Sequence, residues 1–234
     1  MRIEIWSDIA CPWCYIGKRR LETALADFDH RDEVELVYRS FQLDPSAPSV
    51  ATETAQEMLA SKYGVSPAEA AQMQARVTEM AAAEGMVWRH DETVHANTFD
   101  AHRLLHLAKE VGRQGELKEA LLAANFIEPR NIADHAVLRE IAVGAGLPAD
   151  RVDTVLASDE FAADVRADVD QARAYGANGV PFFVVDQKYG VSGAQPTELF
   201  GQLLERAWTE SHPVVQLVGE GSADGTCGPD GCAI

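Results

Sequence analysis

Two cysteines, Cys11 and Cys14, stand between an apolar run, Ile3-Glu4-Ile5-Trp6, and a stretch whose apolar residues recur at helical spacing. A strand, then C-x-x-C, then a helix places both thiols in the first turn of a helix at the edge of a sheet. The N–H groups there have no partner and the helix dipole is positive, so a thiolate is stabilised. A free thiol of pKa about 8.5 is only about 3% ionised at neutral pH, whereas thiols at helix starts reach about 3.5–7.5. Cysteines one helical turn apart are within disulfide range. The sequence therefore predicts Cys11 at the N-cap or first position as the attacking sulfur. Cys14, one turn in and more buried, is suited to resolving a mixed disulfide. Pro12 fits the first turn because its missing N–H has no partner there. Lys18, Arg19 and Arg20 follow, and read either as added positive potential or as a solvated helix face.

The rest of the chain supplies a frame for that motif. Residues 2–7 alternate as a strand does, a helix is expected from Pro12 to Phe28, and Val34 to Phe41 is β-branched and aromatic. Asp44-Pro45-Ser46-Ala47-Pro48 then breaks the pattern. From Val50 to Leu147 the spacing is almost wholly helical. Ser66-Pro67-Ala68-Glu69 reads as a capping box with proline at the first helical position, and further helices are expected after Asn97, over 116–126 and over 134–143. A helix over Ser158–Tyr175 precedes the return of strand signals. Val180 to Val185 and Tyr189 to Gly193 read as a hairpin around Asp186-Gln187-Lys188, and Pro196 to Trp208 as a last helix. Strand–helix–strand, a helical interruption, then helix–hairpin–helix describes an α/β chain with a thioredoxin-like fold split by a large all-helical insertion. The expected division is 1–48 and 148–212 for the two thioredoxin-like parts, 49–147 for the insertion, and 213–234 for a Gly-rich mobile tail.

The 234 residues are enough to bury a full core without disulfides. A formal charge of -17 opposes contact with nucleic-acid phosphates. No stretch approaches the roughly 20 apolar residues of a membrane span. The first residues lack a basic leader and an apolar h-region, so a primary product beginning here is expected to stay in the cytoplasm. The other two cysteines, Cys227 and Cys232, lie together near the end with nothing between the pairs. They could close a small loop around Pro229-Asp230-Gly231 and exchange with Cys11 and Cys14 as a tethered second dithiol, or form an adventitious thiol pair. Two cysteine pairs also permit a zinc reading. The six-residue span of the second pair and the strand–helix setting of the first favour redox chemistry.

Ser7-Asp8-Ile9-Ala10-Cys11-Pro12-Trp13-Cys14-Tyr15-Ile16-Gly17 and Gly179-Val180-Pro181-Phe182-Phe183 resemble the DsbA-like oxidoreductases, particularly their cytoplasmic FrnE-like branch. Asn97-Thr98-Phe99-Asp100-Ala101-His102-Arg103-Leu104-Leu105 is similar to that branch's insertion. The resemblance implies a thioredoxin fold, Cys11 as nucleophile, Cys14 as resolving thiol and a cis Pro181 opposite them. Val180 would offer its backbone to an extended substrate, beside Pro12 and Trp13. Asn97 and His102 are expected on the same ground to line the cleft between insertion and redox site. The implied partners are proteins carrying disulfides or thiols, with a small thiol or a thioredoxin-type protein as reductant. Thiols carry the electrons, so the reaction needs no metal, flavin or nucleotide.

Tryptophan at position 13, where periplasmic relatives of the superfamily usually carry histidine, gives reduction or isomerisation as much weight as oxidation. His102 and His106 share a helical face but lack a carboxylate in metalloprotease register. Met58, Met73, Met80 and Met86 read as core or as an adaptable contact surface. Two other functional classes fit less well: a kappa-type glutathione-dependent isomerase or transferase, whose nucleophile position carries serine, and a holdase or metal-binding protein using the tail thiols.

Overall fold

The computed structural model describes residues 1–50 and 53–213. Cys227 and Cys232 lie outside the described residues. β1 (Arg2–Ser7) sits inside a four-stranded sheet, parallel to β2 (Glu35–Ser40) and antiparallel to β3 (Phe182–Val185). β3 turns through Asp186 and Gln187, both at positive φ, into β4 (Tyr189–Ser192), giving the order β2-β1-β3-β4.

Alternation along β1 divides the sheet between two cores. Ile3 and Ile5 join Tyr38, Phe183 and Val185 beneath α1 (Pro12–Ala26) and α9 (Thr197–Ser211), which contribute Leu21, Phe200 and Leu204. Trp6, on the other face, packs with Phe182, Val184 and Ala172 of α8 (Ala162–Ala174). Its indole Nε1 donates to the carbonyl of Asp168 at 2.7 Å. Glu4 shares that face and is buried. Arg39, bound to both Glu4 and Asp168, makes its charge tolerable there.

The insertion follows β2. α2 (Ala55–Tyr63) and α3 (Pro67–Ala83) form a pair, each opened by a reciprocal capping box, Thr54/Glu57 and Ser66/Glu69. α4 (Phe99–Glu110), α5 (Gln114–Phe126) and α6 (His135–Gly144) close a separate core around Leu104, Leu107, Leu117, Leu121 and Leu138. α7 (Ala149–Leu156) lies beyond residue 147, yet Val152 and Val155 complete this same core. By packing, the helical layer extends past the break expected from sequence.

Two contacts lock insertion and sheet together at the redox motif. Ile9, in the β1–α1 connection, belongs to the insertion's core. Tyr15 and Ile16 turn the second face of α1 onto Trp88, Leu122 and Phe126, with Tyr15 stacked on Trp88 at 5.7 Å between ring centres. α1 is thereby covered on both sides, and its N-terminal end opens to a cleft.

Candidate active site

Cys11 is the N-cap of α1, with extended dihedrals of φ -92° and ψ 112°, and Pro12 begins the helix. The Cys14 N–H donates to the Cys11 carbonyl at 3.1 Å. Val180–Pro181 is a cis peptide, as the resemblance implies. The Val180 carbonyl faces the redox turn and accepts from Cys11 Sγ at 3.5 Å. Close approach of this loop to α1 depends on Gly17. A Cβ there would lie 3.1 Å from Pro181 Cγ and 3.3 Å from Phe183 Cζ. Gly17→Val is therefore expected to destabilise the fold by about 1–3 kcal/mol through overpacking. Urea denaturation measures that loss.

Both cysteines are free and buried, at 2% and 3% exposure. Sequence reasoning expected Cys11 to be the more open of the two. The difference comes from the Val180 loop and from the α2–α3 pair, which wall a cleft of about 360 Å³ over the Cys11 end of α1. Pro12, Trp13 and Val180 line it as expected, and Trp13 keeps 37% of its surface exposed. Met58 and Met73 line it too, whereas Met86 lies in the core beside Trp88 and Met80 stands 36% exposed.

Asn97 and His102 do not line this cleft, contrary to expectation. The Asn97 side chain is spent on the chain linking sheet to insertion: its Nδ2 donates to the carbonyl of Ala47 at 3.0 Å and its Oδ1 accepts from Phe99 N–H at 2.8 Å. It borders a different hollow, with Gln42 and Arg166. His102 is fully buried behind the site and donates from Nε2 to Asp8 Oδ1 at 3.3 Å, leaving Nδ1 without a partner. His106 binds another carboxylate, Asp168, at 3.2 Å.

Asp8 and Lys118 are the residues that sequence reasoning passed over. The Asp8 carbonyl accepts from Cys11 N–H at 3.4 Å, and its carboxylate accepts from Leu43 N–H at 2.8 Å. Burial pushes the Asp8 carboxyl upward. Its bonds to His102, Leu43 and Thr98, with the His102 charge, outweigh this and hold it below the ordinary aspartate value. Lys118, 1% exposed on α5, reaches Ser7 O at 3.5 Å. Burial pushes its ammonium down to about 8, opposed by attraction to Cys14, Asp8 and Cys11. Cys14 moves the other way. Burial first, then its hydrogen bond and charge interaction with Cys11, raise it well above the ordinary thiol value, and Lys118 pulls it back. At rest Cys14 is a thiol. The basic residues after the motif are neither solvated nor free: Lys18 and Arg19 pair with Glu22 at 2.6 and 2.9 Å, and Arg20 pairs with Glu84 at 2.6 Å.

The Asp8–His102 pair also sets an acid limit. Burial holds His102 below the ordinary histidine value of about 6.5, against the pull of Asp8. The unfolded chain then binds the extra proton first, so stability falls as pH drops through that value, by at most about 1.4 kcal/mol per pH unit for one group. Asp8 adds a further loss only as pH falls through its own folded value, below about 4. Thermal melts between pH 7 and 5 are expected to show the His102 slope, and His102→Gln to flatten it. A residual slope from His90, also pushed down by burial, has the same sign.

This arrangement defines a thioredoxin-fold protein with a dithiol at a helix start facing a cis proline. The chain belongs to the DSBA-like thioredoxin domain family, which it matches over residues 2–205. It is 50% identical to a probable DsbA oxidoreductase from Streptomyces coelicolor, whose structure superposes with a TM-score of 0.86 over 100% of this chain and 99% of that one. The cytosolic disulfide reductase DsbM from Pseudomonas aeruginosa is 15% identical with a TM-score of 0.61, covering 90% and 100%. A 2-hydroxychromene-2-carboxylate isomerase is 12% identical with a TM-score of 0.66, covering 90% and 98%. The last two share the fold. Among the described residues, no helix is long and apolar enough to cross a membrane.

Proposed function

We propose that this protein catalyses dithiol–disulfide exchange on protein substrates in the cytosol, with Cys11 as the attacking sulfur. The observation that carries the proposal is the seat of Cys11: N-cap of α1, its sulfur against the Val180 carbonyl, at the base of a cleft. The Cys11 thiolate attacks one sulfur of a substrate disulfide, whose S–S bond breaks and releases the other sulfur as thiolate. Cys14 then loses its proton and attacks Cys11, freeing the reduced substrate and leaving a Cys11–Cys14 disulfide. A small thiol or a thioredoxin-type protein returns two electrons. The same steps in reverse oxidise a substrate dithiol. In a cytosol poised near about −220 to −320 mV, a dithiol of about −180 mV rests mostly reduced, which favours reduction and isomerisation.

Val180 provides substrate contact beside the sulfur. Its N–H donates to no backbone carbonyl among the described residues, which suits main-chain pairing with an extended segment. Cys227 and Cys232 are placed in this scheme as a second dithiol that exchanges with the first.

Trapping tests the proposal. Cys14→Ser incubated with a peptide disulfide is expected to accumulate a stoichiometric adduct on Cys11, seen by intact mass and lost on adding dithiothreitol. An adduct that forms equally in Cys11→Ser would refute the assignment.

A further inference from the structure

Access to Cys11 is narrow. At 2% exposure its sulfur can meet a small disulfide inside the cleft, but not one on the surface of a folded protein. For the second to react, one wall of the cleft has to move. α3 is anchored: Val77 and Ala81 pack with Tyr15 and Ile16 of α1, and Glu84 pairs with Arg20 at 2.6 Å. α2 is not. It is nine residues long, and none of its side chains is fully buried. At one end it turns into α3 through Gly64, at φ 63°. At the other its root is held to the chain before α4. There Ala55 N–H donates to the Thr93 carbonyl at 2.9 Å, and His95 N–H donates to the Glu53 carbonyl at 3.1 Å.

The His95 ring closes that root. Its Nδ1 lies 3.0 Å from Glu53 Oε1, just before α2, and its Nε2 lies 3.1 Å from Asp44 Oδ2, on the connection that leaves β2. A neutral imidazole has one N–H and would turn a lone pair toward one of these oxygens, whereas an imidazolium donates to both. The Ser46 hydroxyl first, and His95 as well, hold the Asp44 carboxyl below the ordinary aspartate value, so it is an anion at neutral pH. The His95 side chain is only 12% exposed, and partly buried charges of this kind are screened far less than surface ones. Of the other titratable groups nearby, Lys62 borders the hollow that Asp44 and Glu53 line. Asp8, His90 and Cys11 line the cleft with His95, and Glu57 accepts from Thr54 N–H at 2.7 Å.

We propose that His95, as the imidazolium between Asp44 and Glu53, latches α2 over the redox cleft and so sets the size of the disulfide that reaches Cys11. This rests on the exchange reading above and adds a gate to it. With the latch closed, small disulfides react. With it released, α2 turns about Gly64 and Cys11 opens to disulfides carried on proteins. The closed arrangement holds the proton, so raising the pH releases the latch, and one proton changes the open-to-closed ratio by at most about tenfold per pH unit. His95 touches no reacting atom; it is a positioning residue that acts through α2.

The test uses the full chain with Cys14→Ser, Cys227→Ser and Cys232→Ser, so that Cys11 is its sole thiol. Two reagents are compared: N-ethylmaleimide, and a maleimide joined by a short linker to a folded protein that has no thiol. Intact mass follows the adduct on Cys11. Both reagents need the Cys11 thiolate, so the ratio of their rates cancels its ionisation and reads the gate. The protein-to-small ratio is expected to rise by about tenfold between pH 6 and pH 8. Asp44→Asn and His95→Gln are each expected to raise the ratio at pH 6 by about fivefold or more and to flatten its pH dependence. His95→Arg, whose charge does not titrate in this range, is expected to be equally flat but to keep the low ratio, which a general loosening of the fold would not produce. Amide exchange across 55–63 in the parent, corrected for its intrinsic pH dependence, is expected to quicken over the same range. A parental ratio that does not change with pH, or a parental ratio in Asp44→Asn and His95→Gln, would overturn the latch while leaving exchange chemistry standing. Failure of Cys11 to react even with N-ethylmaleimide would overturn both.

Discussion

Cys11→Ser is expected to lower the rate of insulin disulfide reduction by about tenfold or more, to the uncatalysed level set by dithiothreitol itself. Attack on a disulfide needs an atom that can ionise, and a thiol does so far more readily than a hydroxyl. Serine is a preferred N-cap residue of nearly the same size as the Cys11 it replaces, so folding is preserved. It would not ionise, and oxygen forms no stable mixed species with a disulfide. Circular dichroism of Cys11→Ser is expected to match the parent, which separates lost chemistry from lost structure. Cys14→Ser behaves differently: its first attack survives and only the resolving step is lost. A Cys11→Ser protein that still turns over insulin would move the chemistry to other thiols, of which Cys227 and Cys232 are the candidates.

The frame was legible in the sequence because each of its elements carries a local signal. Ser66-Pro67-Ala68-Glu69 announces α3, which begins at Pro67 with that capping box closed. The alternating run before Cys11 becomes β1, and the apolar stretch after Pro181 becomes β3. The elements missed lack such signals. α7 is eight residues long and starts behind Pro148 with no side-chain cap, so its apolar pair Val152/Val155 acquires meaning only against α4 and α6. Burial of charge was less legible still. Lys118 shares an inward stripe with Gln114, Leu121 and Leu122, all buried, and that register was readable in the sequence. What tolerates its ammonium is not readable there: Ser7 and Asp8 stand more than a hundred residues earlier and meet it only across the folded sheet. His102 illustrates the converse. The motif around it suggests a cleft residue, but its partner Asp8 draws it inward, and its influence on the cysteines passes through the backbone that Asp8 fixes. Asn97 caps a chain reversal, a role many asparagines fill.

Lys118→Met is expected to slow resolution of the mixed disulfide by about tenfold or more while leaving the protein no less stable. The two halves of this prediction come from one fact, a fully buried ammonium whose pKa is pushed down to about 8. Keeping Lys118 charged in that setting opposes folding by about 3 kcal/mol, since each unit of depression corresponds to about 1.4 kcal/mol. Methionine fills nearly the same volume with no charge to desolvate, so the cost of burying the ammonium disappears with it. Asp8 is not stranded by the change, because His102 and the Leu43 N–H still bind it. The functional half concerns Cys14, which burial holds as a thiol and which must become an anion before it can attack Cys11. Lys118 is the named cation that lowers the cost of that anion, and one unit of lost stabilisation is tenfold in thiolate. Single-turnover mass spectrometry is therefore expected to show the Cys11 adduct persisting in Lys118→Met, and the pH dependence of its decay to shift to higher pH. Lys118→Arg, which keeps a charge that does not titrate in this range, is expected to restore part of the rate at the expense of packing. If Lys118→Met resolves at the parental rate, the buried ammonium has no part in the exchange.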